Sequence, residues 1–244
     1  MERGVSRASV SPPVQGRYEI KLVCPSVYLP QVCVLVRLHP EGFRVAYPPR
    51  WVNSIYFDSF DIEGVMHNLD SASERAKLRW RWYGPGWRIE RSHLELKRKR
   101  GVAGFKELCP IDGSFDPRAE TWAAALSLLH HHADDRFRVW LSQVSCATII
   151  TRYEREYYAS PDGEIRLTLD TQLATYDQRF SRRPNLTRPS PPPGTILIEL
   201  KAGASQARRL AQVTNAFPFR PERNSKYVNG FLVTAEALGG LVFS

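Results

Sequence analysis

Only seven of the 34 basic residues in the 244-residue chain are lysines, and six of the seven fall on segments where charge and apolarity alternate, or in the hairpin arm beside them. In a strand, residues i and i+2 share a face. That parity groups Glu19 with Lys21; Lys77 with Arg79 and Arg81; Glu95 with Lys97 and Lys99; Tyr153 with Arg155; Arg166 with Thr168 and Asp170; and Glu199 with Lys201. The triplet Glu-x-Lys occurs three times in the set. With Lys106 and Lys226 added, eleven cations stand against four carboxylates on one proposed face. Such a face is suited to gripping a polyanion, because arginines hold phosphate oxygens bidentately while lysines act as movable point charges. Glu19, Glu95 and Glu199 supply the hard oxygen ligands that a divalent cation would need to bridge those phosphates.

The other faces of the same segments are mostly apolar: Tyr18, Ile20 and Leu22; Leu78, Trp80 and Trp82; Leu94 and Leu96; Ile165, Leu167 and Leu169; Ile196, Ile198 and Leu200. The ordinary origin of this alternation is an antiparallel sheet with its charged face in water. The repetition of Glu-x-Lys and the gathering of scarce lysines favour the opposite arrangement. If the sheet closes with that face inward, its lumen is a cationic tunnel whose self-repulsion a bound polyanion relieves.

Several elements must position these residues. Alternation predicts strands over Arg17–Cys24 and Arg75–Tyr83, and β-rich composition predicts one over Val52–Asp58. Val27–Leu38 is apolar and fits helix or strand. Leu94–Arg100 and Val102–Leu108 flank Gly101 as a hairpin, and Pro117 opens a helical stretch to about His132. Strands follow over Ala147–Ala159 and Glu164–Thr171, separated by the turn Ser160-Pro161-Asp162-Gly163, and another is expected over Ala174–Phe180. Ser181–Gly194 is a proline-rich loop. Thr195–Lys201 reads as strand, Ser205–Ala216 as helix, and Ser225 onward as a final helix.

The composition fits one globular domain over residues 17–244 after a flexible tail at 1–16. It excludes disorder, collagen-like repeats and coiled coil as descriptions of the whole chain. A net charge of +9 favours polyanionic partners without choosing among them. Neither a membrane span nor a signal peptide is visible, so the chain reads as soluble and cytoplasmic. Cys24, Cys33, Cys109 and Cys146 lack metal or disulfide spacing. His130, His131 and His132 are consecutive and point in different directions on a helix, which suits a helix end and not a metal site. Trp80, Trp82 and Trp87 could stack nucleic-acid bases, but parity puts the first two on the apolar face, in a core.

In order along the chain, R-Y-E-I-K at 17–21, S-I-Y-F-D-S at 54–59, K-L-R-W-R-W-Y-G at 77–84, L-E-L-K-R-K at 94–99, R-Y-E-R-E-Y-Y at 152–158, I-R-L-T-L-D-T at 165–171, I-E-L-K at 198–201 and N-S-K-Y at 224–227 resemble the VTC (vacuolar transporter chaperone) domain. That domain is the polyphosphate polymerase branch of the CYTH/triphosphate tunnel metalloenzyme superfamily. The resemblance implies an α+β fold, an antiparallel β-barrel tunnel with helices packed outside. It implies catalytic roles for Lys21, Arg79, Arg81, Lys97, Arg155, Arg166, Lys201 and Lys226, and substrate contacts from Lys77, Lys99, Lys106, Tyr153 and Ser225. Metal binding falls on Glu199, with looser assignments for Glu19 and Glu95, and the metal expected is Mn²⁺ or Mg²⁺. Tyr153 either bonds a phosphate or packs beside the tunnel mouth, and Ser225 fits an N-cap as well as a phosphate contact.

Hydrolytic members of the superfamily tend to open with E-x-E-x-K, whereas Arg17 replaces the first acid here. That departure points to the polymerase branch, which would transfer the γ-phosphoryl of ATP to a growing polyphosphate chain and release ADP. The alternatives are a metal-dependent triphosphatase using the same tunnel and a non-catalytic module binding polyphosphate or nucleic acid. The expected partners are ATP and inorganic polyphosphate, with no specific nucleic acid. Because family polymerases are commonly parts of membrane assemblies, a membrane-protein partner is one implied option. Lys226, a cation in the first turn of the last helix, opposes the helix dipole and so predicts an anion beside it.

Overall fold

Arg17–Pro25 (β1) pairs antiparallel along its length with Thr195–Gly203 (β8), with Glu19 opposite Lys201 and Lys21 opposite Glu199. In the computed structural model the sheet continues through Ile165–Asp177 (β7), Cys146–Ala159 (β6), Arg44–Asp58 (β2), Glu74–Tyr83 (β3), Ile89–Arg100 (β4) and Ala103–Phe115 (β5). The order is β1-β8-β7-β6-β2-β3-β4-β5, and every neighbouring pair is antiparallel. The structure describes residues 17–101, 103–144 and 146–237, so the expected tail at 1–16 lies outside the described residues.

Period-2 alternation makes each strand two-faced, and the helices decide which face is covered. Trp122–His132 (α3) and Asp135–Gln143 (α4) pack on the apolar side of β2–β5, over Ile55, Leu78, Trp80, Trp82, Leu94 and Leu96. Leu29–Arg37 (α1) and Ala207–Asn215 (α5) cover the same side of β1, β7 and β8. Glu63–Leu69 (α2) and Lys226–Glu236 (α6) meet around Tyr56, Val65, Ile149 and Phe231. Burial of a large apolar side chain contributes about 1.5–3 kcal/mol, so the apolar faces go outward under helices and the charged faces are left inside. The sheet curls until Lys21 of edge strand β1 and Lys106 of edge strand β5 line one cavity. The result is an α+β tunnel with α1, α3, α4 and α5 outside and α6 packed on Tyr56 and Ile149 of the inward side, its hydrogen-bonded wall open between β1 and β5 among the described residues.

Several expectations change. The ambiguous segment 27–38 is a 3-10 turn followed by α1. The helix expected from Pro117 begins at Trp122, because Thr121 caps it by accepting a hydrogen bond from the Ala124 amide at 3.3 Å. The two strands expected over 164–171 and 174–180 are the single strand β7, kinked at Gln172 (φ 51°) where its register with β6 shifts. α2 and α4 have no counterpart in the sequence reading; α4 is capped by Asp134, and α2 by Asp58, which accepts from the Gly64 and Val65 amides. His130–His132 do end α3, and Trp80 and Trp82 lie in the core. Among the described residues no helix is long and apolar enough to cross a membrane.

Candidate functional site

The inward faces of seven strands and the start of α6 enclose a cavity of about 360 Å³. Strand β3 contributes Lys77, Arg79 and Arg81 by parity, with Tyr83 beyond them. Lys97 of β4 and Lys106 of β5 stand opposite each other in register, as do Lys97 and Lys77. From the far wall come Glu19 and Lys21 of β1, Glu199 and Lys201 of β8, and Tyr153, Arg155 and Tyr157 of β6. Arg50 and Tyr56 of β2 and the Asn224-Ser225-Lys226 entry to α6 complete the wall. Among the described residues, ten cationic side chains thus face two carboxylates across one small space.

Two further carboxylates stand behind the wall and fix its cations. Glu95, fully buried, is the closest anion to Arg79 and lies 3.1 Å from Lys106, 3.8 Å from Lys97 and 3.9 Å from Arg81. Burial would raise its pKa, but Arg79, Arg81, Lys97 and Lys106 together hold it well below the usual carboxylate range. Asp170, also buried, accepts from Arg155 Nε at 2.5 Å and Nη2 at 2.7 Å, and from Lys226 Nζ at 2.5 Å. Lys226 and Arg155 outweigh its burial and hold its pKa down.

Even after Glu95 and Asp170 are counted, cations outnumber carboxylates in and around the cavity by six. The strain shows in the lysines. The Arg79 guanidinium, followed by burial, pushes the Lys97 ammonium down to about 7. Burial, reinforced by Lys21, Arg75 and Arg79, pushes Lys77 down to about 8. Arg79 Nη1 donates to the Tyr56 hydroxyl at 3.0 Å, while its buried Nε has no partner among the described residues. A buried donor without an acceptor costs about 1–3 kcal/mol, and the surplus of positive charge on the lining suits the cavity to oxygen acceptors carrying negative charge.

The start of α6 enters this network from the sequence outward. Ser225 caps the helix by accepting from the Val228 amide at 3.3 Å, and the same hydroxyl accepts from Lys77 Nζ at 2.8 Å. Lys21 Nζ donates to the Asn224 carbonyl at 2.8 Å. The anion predicted beside Lys226 is Asp170 of the protein itself.

Among the described residues, one place on the cavity wall suits a metal. Glu19 and Glu199 flank Lys201, whose ammonium lies 3.7 Å from Glu19 and in contact with Glu199. Burial would raise the Glu199 carboxyl, yet Lys201, Arg155, Lys226 and Lys21 hold it well below its ordinary value. Two ionised carboxylates beside a cationic wall fit Mg²⁺ or Mn²⁺, which take one or two carboxylates and fill their remaining positions with water and other oxygen ligands. Glu95, expected among the ligands, does not fit: four cations enclose it and it does not line the cavity. Among the described residues no cluster of three or more acidic, histidine or cysteine ligands exists.

Two other expected wall residues stand apart. Arg166 shares the inward side with its partner Lys201 but is exposed and outside the cavity lining, because it sits at the start of β7. Lys99 is exposed and borders a separate groove of about 650 Å³ between α2, α4 and the ends of β3 and β4. Conversely, Arg50, Tyr83, Tyr157 and Asn224 line the cavity without having been expected there. Tyr83 and Tyr157 follow Arg81 and Arg155 by two residues, so carrying the same parity one step further reaches them. Arg50 lies in a Y-P-P-R-W run that carries no alternation signal, and β2 begins at Arg44 instead of Val52.

The family model described as the VTC domain matches residues 45–235. No curated protein sequence matches the chain. Among solved structures, a protein from Hippeastrum assigned as an adenylyl cyclase, and described as revealing a dominant triphosphatase activity, is similar at 16% identity and a TM-score of 0.50, over 93% of this chain and 97% of its own. A protein from Vibrio parahaemolyticus assigned as an adenylate cyclase is similar at 13% identity and a TM-score of 0.49, over 93% of this chain and 99% of its own. At such identity the Hippeastrum likeness is one of fold.

Proposed function

The chain belongs to the VTC domain family, and from that membership we propose that it is a polyphosphate polymerase-like phosphotransferase, moving the γ-phosphoryl of ATP to the end of a polyphosphate chain. The observation that carries this reading is the excess of cations facing one cavity, with Arg79 Nε left without an acceptor. A terminal phosphate oxygen of the polymer attacks the γ-phosphorus, the bond from that phosphorus to the β–γ bridging oxygen breaks, and ADP leaves. No side-chain nucleophile is required, since phosphoryl transfer depends on in-line positioning and charge stabilisation.

In this reading Arg79, Arg81 and Arg155 grip phosphate oxygens from fixed directions, because Glu95 and Asp170 hold their guanidinium planes. Lys21, Lys97 and Lys201 serve as point charges that follow the phosphates, Lys226 adds one held in place by Asp170, and Lys77, Lys106, Tyr153 and Ser225 add contacts along the wall. Glu199 and Glu19 would hold Mg²⁺ or Mn²⁺, which when bound neutralises phosphate charge. The deciding experiment incubates the pure protein with ATP and Mn²⁺ and identifies the products. ADP with acid-stable polymer supports the polymerase. Free phosphate without polymer replaces it with a triphosphatase, and divalent-independent binding without turnover replaces it with a binding module.

A further inference from the structure

One end of the cavity wall is aromatic. Arg50, Tyr83 and Tyr157 all line it, and the Arg50 guanidinium lies over both rings, 4.5 Å from the centroid of Tyr83 and 4.8 Å from that of Tyr157. Tyr83 is 43% exposed, so its ring is open to a ligand. Tyr47 braces Tyr157 edge-on, with centroids 5.9 Å apart and planes at 88°. We propose that Tyr83 and Tyr157 form a nucleobase platform at the tunnel mouth, on which the base of a bound nucleoside triphosphate stacks while Arg50 turns from the rings toward the phosphates. This rests on the reading of the cavity as a triphosphate site and adds to it the recognition of the nucleoside.

Strand geometry sets the spacing. Tyr83 lies two residues beyond Arg81 on β3, and Tyr157 two beyond Arg155 on β6, which is about 6.8 Å along each strand. That is the distance a ribose and its 5′ carbon bridge between phosphate and base. Two strands separated only by β2 carry this step from arginine to tyrosine, offset in register so that Arg50, opposite Arg155 and two residues from the Tyr83 partner Val52, reaches both rings. Aromatic faces accept any base because stacking needs only a π surface.

The guanidinium already on the rings shows that the platform accepts a flat group, and it is lightly held. Among the described residues Arg50 makes no ion pair, and its side-chain hydrogen bond is to the Tyr157 hydroxyl at 3.0 Å. Another arginine, Arg152, also lies over two rings, those of Trp51 and Trp87 at 4.3 and 4.8 Å. Arg152, however, is tied to the Pro85 carbonyl at 2.7 Å and lies outside the cavity, so that pair is a fixed part of the wall.

The test compares equilibrium binding of ATP, ribose 5-triphosphate and tripolyphosphate to the intact protein without divalent metal. Wild type should bind ATP more tightly than ribose 5-triphosphate. Tyr83→Ala and Tyr157→Ala should weaken ATP by roughly five- to a hundredfold, the range that base–aromatic stacking carries, while tripolyphosphate affinity stays within about twofold. Tyr83→Phe and Tyr157→Phe keep the rings and should keep the preference for ATP. Equal weakening of ATP and tripolyphosphate in the alanine variants would mean that the tyrosines only support the wall, and equal wild-type affinity for ATP and ribose 5-triphosphate would mean that no base site exists; either overturns the platform alone. Failure of wild type to bind tripolyphosphate overturns the triphosphate site and the platform with it.

Discussion

The Lys226 ammonium donates to Oδ2 of Asp170 at 2.5 Å, joining the first residue of α6 to the middle of β7 inside the cavity wall. Lys226 therefore has its counter-ion before any ligand arrives. Arg155 shares that carboxylate through two hydrogen bonds, so one buried anion orients two cations on different elements. Removing Lys226 would therefore take one of two counter-ions from a buried carboxylate.

Asp170→Asn should leave Arg155 and Lys226 buried without compensation. The expected destabilisation is about 3–5 kcal/mol. Tripolyphosphate, supplying the missing negative charge, should raise the melting temperature of the variant by more than it raises that of wild type. Thermal melts with and without tripolyphosphate check this, and equal ligand-induced shifts would remove Asp170 from its orienting role. Lys226→Met should cost less in stability, since Arg155 still satisfies Asp170, while weakening tripolyphosphate binding.

Lys97 gives the cavity a pH dependence. Its pKa of about 7 lies below that of a free lysine, so the ligand-free fold is penalised for carrying its charge. That penalty is complete below pH 7 and relaxes as pH rises toward the unfolded value near 10.4. Lys97→Met should accordingly raise the ligand-free melting temperature at pH 6 and have little effect at pH 10. A polyanion restores the charged form, so tripolyphosphate binding should take up protons between about pH 7 and 10, with Lys77, at about 8, contributing. Calorimetry in two buffers of different ionisation enthalpy measures the uptake, and Lys97→Met should reduce it.

Glu199→Gln keeps the size of the side chain and one acceptor oxygen but loses the charge that would hold a divalent ion. Nucleotide binding without metal should be retained or tightened, because the wall becomes more positive. Divalent-dependent turnover of ATP should fall by roughly 10- to 100-fold or more. Full turnover in the variant would shift metal binding to Glu19 or remove it from the reaction.

Gly230 lets α6 sit close against the sheet. A Cβ at this position would lie 3.0 Å from Ile149 Cδ1 and 3.1 Å from Thr175 Cγ2, closer than side chains normally pack. Gly230→Val should lower the melting temperature by overpacking, about 1–3 kcal/mol. By shifting α6 it should also weaken tripolyphosphate binding, although residue 230 lies outside the cavity lining. Isothermal titration together with melts separates the two effects.

Strand positions and their two faces were legible in the sequence because alternation of period two is a local property. Each parity group could be read from a few neighbouring residues: Lys77, Arg79 and Arg81 against Leu78, Trp80 and Trp82, for instance. The turns at Gly101 and Gly163 were equally local, since both glycines adopt positive φ. The ordered set of short motifs placed the chain in its family without any need to know how the segments meet.

Which face turned inward was decided only by the tertiary structure. Alternation is indifferent to that choice; the helices α1 and α3–α5 settle it by covering the apolar side. Pairing of charges was likewise invisible, because Asp170 and Lys226 are 56 residues apart in the sequence and meet only when α6 docks against β7. For the same reason sequence parity could group Glu95 with the metal ligands, whereas the curled sheet surrounds it with cations from three strands. Residue type and spacing determined which side chains could hold phosphate; long-range packing decided which of them face the cavity, which neutralise one another, and which, like Arg166, remain in solvent.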